Sequence, residues 1–230
     1  MNEHDPPPAS PEEHRLEVTR TARYVTLGNL GPDSKEVWFV LHGYRQLAGR
    51  FLRRFYGLDN GSRLIVAPEA LNRFYVEAEV GRHGSESVVG GTWMTSEDRE
   101  WEILDYTRYL DRLWDEVSPS LDRTRIRVTV LGFSQGLHTA VRWVVLGKHR
   151  PDRLILWGDY LPPDLPMERA AEVLRDVEVV FVRGDSDPSQ REELALDEER
   201  RLSEWGIEHR LVTFGEGHEI HPEVLAELGG

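Results

Sequence analysis

Apolar residues in this chain come mainly in short unbroken runs set far apart. The runs are Val37–Leu41, Leu64–Ala67, Ile126–Leu131, Leu154–Trp157, Val177–Val182 and His209–Phe214. Runs of this length without alternation predict strands buried on both faces, as in a mainly parallel sheet covered by helices. Ahead of them the pattern alternates. Leu16 and Val18, then Tyr24, Val25 and Leu27, predict two short edge strands, closed by turn signals at Gly28-Asn29 and Gly31-Pro32. Helical periods lie between the later runs. Ile103, Leu110, Trp114 and Val117 fall on one stripe of a helix over Glu97–Val117. Gln135–Leu146 is small and apolar, as a helix packed on a sheet must be. Ser189 and Glu192 form a capping box that starts a charged outer helix reaching about Trp205. Strands alternating with helices predict an α/β three-layer sandwich. Residues 1–13 are Pro-rich, acidic and poor in large apolar groups, which predicts a disordered N-terminal tail before a single domain over 14–230.

Charge narrows the field of partners. The 230 residues carry 41 acidic and 28 basic side chains, a net charge of −13. That balance speaks against a general nucleic-acid binder, whose affinity comes from clustered Lys and Arg, and against a polybasic membrane patch. All basic residues except Lys35 and Lys148 are Arg. The skew fits codon bias, or ion-pair networks adapted to heat or salt. The absence of cysteine excludes a disulfide framework, a thiolate nucleophile and a Cys-ligated metal. The N-terminus has neither a basic nor an apolar leader region, and the apolar runs are far shorter than the roughly 20 residues that span a bilayer. A cytoplasmic protein without membrane insertion is expected.

The segment richest in chemistry is a buried run, then Gly132-Phe133-Ser134-Gln135-Gly136, then the helix from Gln135. A serine at a sharp strand-to-helix turn has its Oγ lifted above the sheet, beside the positive helix N-terminus. Gly132 and Gly136 remove the Cβ atoms that would crowd such a turn. A nucleophile of this kind takes its acid and then its histidine from later in the chain. His218, in the loop Gly215-Glu216-Gly217-His218-Glu219 after the last strand, is placed to reach over the sheet edge. His221 precedes Pro222 and reads as a helix-cap residue. His138 should point along the helix and away from Oγ. The turn after the penultimate strand offers two acids, Asp185 and Asp187, the latter held extended by Pro188. The turn His42-Gly43-Tyr44 follows the first long run. There the backbone N–H of Tyr44, with that of Gln135, would form an oxyanion hole. His42 reads as a buried histidine that buttresses this loop.

Together, Phe39-Val-Leu-His-Gly43, Ala67-Pro68, Gly132-Phe-Ser-Gln-Gly136, Arg183-Gly-Asp-Ser-Asp-Pro188 and Gly217-His-Glu-Ile220 resemble the α/β-hydrolase superfamily. More narrowly, they resemble its phospholipase/carboxylesterase branch, which includes the acyl-protein thioesterases. The resemblance implies an α/β-hydrolase sandwich with a mostly parallel sheet, helices on both faces and no large lid. It implies Ser134 as nucleophile, Asp187 as acid, His218 as base, and Tyr44 and Gln135 as oxyanion donors. By position it adds Trp93, in Gly91-Thr92-Trp93-Met94, as a substrate contact.

The chain departs from the family pattern at Tyr44-Arg45-Gln46 and at Leu137-His138, both beside the acyl pocket. Arg45 is a candidate contact for an anionic substrate group, the alternative being an exposed loop arginine. The expected activity is hydrolysis of small-molecule carboxylic esters of small to medium acyl chain, with no metal and no cofactor. A thioesterase or lysophospholipase on the same triad, and a non-catalytic binding protein of this fold, are the alternatives. A homodimer is left open.

Overall fold

The computed structural model describes residues 11–31, 33–77, 83–117 and 122–230. The first ten residues of the expected tail lie outside them, while residues 11–23 are without regular structure. The expected strand at Leu16 and Val18 does not form. Both side chains are exposed, at 87% and 76%. Two alternating residues carry no record of a neighbouring strand, and here none is offered.

Seven strands make the main sheet, in the order β1-β3-β2-β6-β7-β8-β9. They are β1 (Tyr24–Leu27), β2 (Glu36–Leu41), β3 (Arg63–Pro68), β6 (Arg127–Phe133), β7 (Arg153–Trp157), β8 (Glu178–Gly184) and β9 (Arg210–Phe214). Every pairing is parallel except β1 with β3. β4 (Asn72–Tyr75) and β5 (Val89–Thr92) form a separate antiparallel pair. The apolar runs at β2, β3, β6, β7 and β8 are buried almost throughout, as their lack of alternation requires. β9 differs. It is the last strand of the sheet, with a neighbour on one side only, and three of its residues are exposed.

Alternate residues along each strand feed two cores. One face, with Val37, Phe39, Val128, Val130 and Phe181, packs on α2 (Arg99–Val117), α3 (Gln135–Leu146), α4 (Met167–Leu174) and Leu202 of α5 (Glu192–Glu204). The other face, with Trp38, Val40, Leu131, Ile155 and Val180, packs on α1 (Ala48–Phe51), the 3-10 turn Leu52–Leu58 and α6 (Pro222–Gly229). The result is the expected three-layer α/β sandwich, and the described residues include no large lid.

On α2, Tyr106 and Leu113 join Leu110 and Trp114 in the buried stripe. Ser189 does not cap α5. The N-cap is Arg191, without a side-chain hydrogen bond, and Ser189 is engaged elsewhere. α6 starts as its sequence predicts: Pro222 opens the helix, and His221 Nδ1 accepts from Val224 N at 3.4 Å.

Candidate active site

The carboxyl ends of five parallel strands converge on one edge of the sheet. β6 delivers Ser134, which is also the N-cap of α3. Its backbone sits at φ 54°, in the region that L-residues avoid. The turn is held by Ser134 N donating to Trp157 O at 2.8 Å and by Leu137 N donating to Ser134 O at 2.7 Å. Its two glycines have steric duties. A Cβ on Gly132 would stand 2.2 Å from Gly136 O, and one on Gly136 would stand 2.2 Å from Leu41 O. Any side chain at either position would push β6 and α3 off their neighbours.

β8 ends in the turn that carries Asp185 and Asp187. Asp185 is exposed, whereas Asp187 is buried, at 4% exposure. Asp187 Oδ2 lies 2.6 Å from His218 Nδ1. Its Oδ1 accepts from Ser189 N at 2.8 Å and from Ser189 Oγ at 2.6 Å. Burial would raise the Asp187 carboxyl, but the hydrogen bonds from Ser189 and His218 outweigh it and hold the group below the usual carboxylate value. Ser189 thus binds Asp187 and does not cap the helix.

The His218 loop follows β9. Trp157 Nε1 holds it by donating to Glu219 O at 2.8 Å. Its imidazole packs on the ring of Phe133, the residue before Ser134, with centroids 5.0 Å apart. The turns that carry Asp187 and His218 touch directly. A Cβ on Gly184 would fall 2.2 Å from Glu216 O, and Ser186 N donates to Glu216 O at 3.1 Å. The imidazole side chain is one-third exposed, at 33%.

The loop after β2 is clamped from several sides. Gly43 N donates to Gln46 Oε1 at 2.9 Å, and Arg45 N donates to Gly91 O at 2.9 Å. Among the described residues, the Tyr44 amide between them has no hydrogen-bond partner. Gly43 itself lies against Ser134, since a Cβ on it would be 3.2 Å from Ser134 Cβ. His42 is fully buried. Its Nδ1 faces Gly43 O at 2.8 Å, and its Nε2 accepts from Ala70 N at 3.1 Å. That pair of partners needs the neutral ring protonated at Nδ1. Burial lowers the His42 pKa, against the smaller opposing effects of Gly43 and Glu69. Tyr44 and Arg45 both point outward, the Tyr44 ring stacking on Phe74 at 5.3 Å.

Two side chains do work that the sequence did not reveal. Gln135 Nε2 donates to Met94 O at 2.9 Å and to Thr92 Oγ1 at 3.0 Å, while its Oε1 accepts from Trp93 N at 3.0 Å. It therefore stitches the Ser134 turn to the end of β5. Trp93, expected at the substrate, is 1% exposed, and its indole N–H donates to His42 O at 2.8 Å. His138, expected to point along the helix, pairs with Asp159, Nε2 to Oδ2 at 3.4 Å.

Among the described residues no group of three or more His, Asp or Glu is spaced to hold a metal ion. No helix among them is long and apolar enough to cross a membrane. A cavity of about 620 Å³ lies at the opposite, amino-terminal edge of the strands, lined by Arg123, Arg150, Asp152, Arg169, Glu172 and Asp176 among others. It touches none of the residues above. Arg150 and Arg169 there bind the last carbonyls of α3.

No protein-family model matches the chain, and neither does any curated protein. Solved structures do. The acyl-protein thioesterase 2 of Zea mays superposes with a TM-score of 0.66 at 15% identity, covering 91% of this chain and 96% of that one. Esterase PE8 gives 0.62 at 21% identity, covering 90% and 96%. The chain has the α/β-hydrolase fold. A carboxylesterase of Bacillus cereus shares this fold with a TM-score of 0.63 at 15% identity, covering 90% and 92%. Ser134 stands at the turn where β6 meets α3.

Proposed function

We propose that the protein is a serine hydrolase of carboxylic esters, with Ser134 as nucleophile, His218 as general base and Asp187 as its acid partner. The observation that carries this reading is the 2.6 Å contact between His218 Nδ1 and Asp187 Oδ2, made at the sheet edge that bears the Ser134 turn. With Nδ1–H donated to the carboxylate, Nε2 is left to accept the Ser134 proton. Oγ then attacks the ester carbonyl. The backbone N–H groups of Tyr44 and Gln135 hold the oxyanion, and His218 returns its proton to the leaving alcohol. Water, deprotonated by the same histidine, attacks the acyl-enzyme; the C–Oγ bond breaks, the acid leaves, and His218 returns the proton to Ser134 Oγ. Every step uses groups of this chain, so the reading assigns no metal and no cofactor.

Trp93 and Gln135 hold the frame of this site through their side chains, and we reassign Trp93 from substrate contact to strut. Arg45 stays a candidate for an anionic substrate group. Thioester hydrolysis on the same three residues is the second reading, supported by the structural likeness to a protein named acyl-protein thioesterase.

The test is fluorophosphonate labelling together with a panel of nitrophenyl esters and matching thioesters. Native protein should be labelled at Ser134 and should turn over short and medium esters. Ser134→Ala should do neither. Hydrolysis that survives in Ser134→Ala, or native protein that resists the label, overturns the proposal. A binding protein without activity would take up the esters and leave them intact.

A further inference from the structure

A second histidine–carboxylate pair stands beside the first. His138 lies in the first turn of α3, the helix that Ser134 caps. Asp159 follows Gly158, which leaves β7 where Phe133 is paired with Trp157. Gly158 backs onto the proposed base, since a Cβ there would stand 3.3 Å from His218 Cε1. The two side chains meet on the side of the site that holds His218, whose charge acts on the Asp159 carboxylate. Nε2 of His138 lies 3.4 Å from Asp159 Oδ2, and the side chains are 26% and 33% exposed.

The Asp159 carboxylate is held in place and kept ionised. Its Oδ1 accepts from Tyr160 N at 2.8 Å. Burial would raise its pKa, but His138, the Tyr160 amide and the nearby His218 together bring it below the usual value. The proposed triad has no use for this pair, because His218 already has Asp187.

We infer that His138 and Asp159 are specificity-determining residues of the site, and that it takes esters whose acyl group is short and carries a hydroxyl or ammonium donor near the carbonyl. This inference rests on the serine-esterase reading and deepens it. An alkyl chain laid across the pair would strip water from an ionised carboxylate and offer nothing in return. A hydroxyl or ammonium group would donate to the remaining lone pairs of Asp159 in a charge-assisted bond.

The experiment measures kcat/KM on the nitrophenyl esters of butyrate, 3-hydroxybutyrate and octanoate. The proteins are the native chain, Asp159→Asn and the double variant His138→Ala/Asp159→Ala, all checked by fluorophosphonate labelling and thermal melting. The native protein should favour 3-hydroxybutyrate over butyrate by about tenfold. Asp159→Asn should bring that ratio near one, and the double variant should raise octanoate relative to butyrate by about tenfold. Should the double variant not fold, Asp159→Asn, which keeps the shape and the oxygen facing Tyr160 N, carries the test alone. Ratios that are the same in native and variant proteins, all labelled at Ser134, overturn this inference and leave the esterase reading standing. Native protein that resists the label overturns both.

Discussion

Asp187 gives one carboxylate oxygen to His218 and both hydrogen bonds of the other to Ser189. The carboxylate is therefore fixed at two ends, and the imidazole inherits its orientation. Asp187→Asn would present an amide where only an acceptor fits Nδ1–H. On the esterase reading, kcat should fall by about 10⁴ while the protein still folds and binds substrate. Steady-state kinetics on a nitrophenyl ester decide it; a loss under tenfold would remove Asp187 from the mechanism.

Gly136 tolerates no side chain. An added methyl would meet Leu41 O and His42 O, which are backbone atoms of a central strand and its loop and cannot swing aside. Gly136→Ala should cost about 3 kcal/mol or more, the upper end of overpacking penalties. Chemical denaturation gives the value. A variant as stable as the native protein would mean that the turn relaxes more freely than its contacts indicate.

On the esterase reading, Gln135 should matter through its side chain as well as its N–H. Gln135→Ala keeps the backbone donor but cuts the ties to Thr92, Trp93 and Met94. A small displacement of a reacting group costs on the order of 10² in rate, so a ten- to hundredfold drop in kcat is expected. A double-mutant cycle with Thr92→Val should show a coupling of about 1 kcal/mol. Additive effects would separate the β5 contact from catalysis.

His42 makes stability depend on pH in a stated direction. Its pKa in the folded protein lies below the ordinary value near 6.5. Just under that value the unfolded chain takes up a proton that the folded chain refuses. Stability must therefore fall as pH drops from about 7 toward the folded value, and it is fully present above 7. His42→Gln should be less stable at neutral pH, with a shallower loss on acidification, as unfolding midpoints at pH 7 and pH 5.5 will show. Parallel losses in the two proteins would refute the buried neutral ring.

The strands of the main sheet were legible because five of them are buried on both faces and write that into unbroken apolar runs. The sharp turn at Ser134 was legible because two glycines at fixed spacing stand where an added Cβ would fall 2.2 Å from a backbone oxygen. What escaped the reading was either too short to show a period or made by distant residues. α4 and the 3-10 turn Leu52–Leu58 span eight and seven residues. At Leu16 and Val18 the alternation was real, but no strand lies beside it to pair with. Ser189 matched a capping box, yet the nearer partner was Asp187, whose carboxylate the β8 turn aims at it. His138 and Asp159 lie on separate elements, and no local pattern links them. Trp93 is buried in the core and bonded to His42 O, a contact that spans 51 residues.

The contact between Gly184 and the Glu216–Gly217 backbone has a dynamic consequence. Asp187 and His218 hang from two strands, but their turns are joined by backbone contacts, so opening one disturbs the other. Transient exposure of the His218 loop must also release the Ser186 amide from Glu216 O. Hydrogen exchange at that single amide therefore reports, with no substrate present, how often the pair that orients the imidazole comes apart.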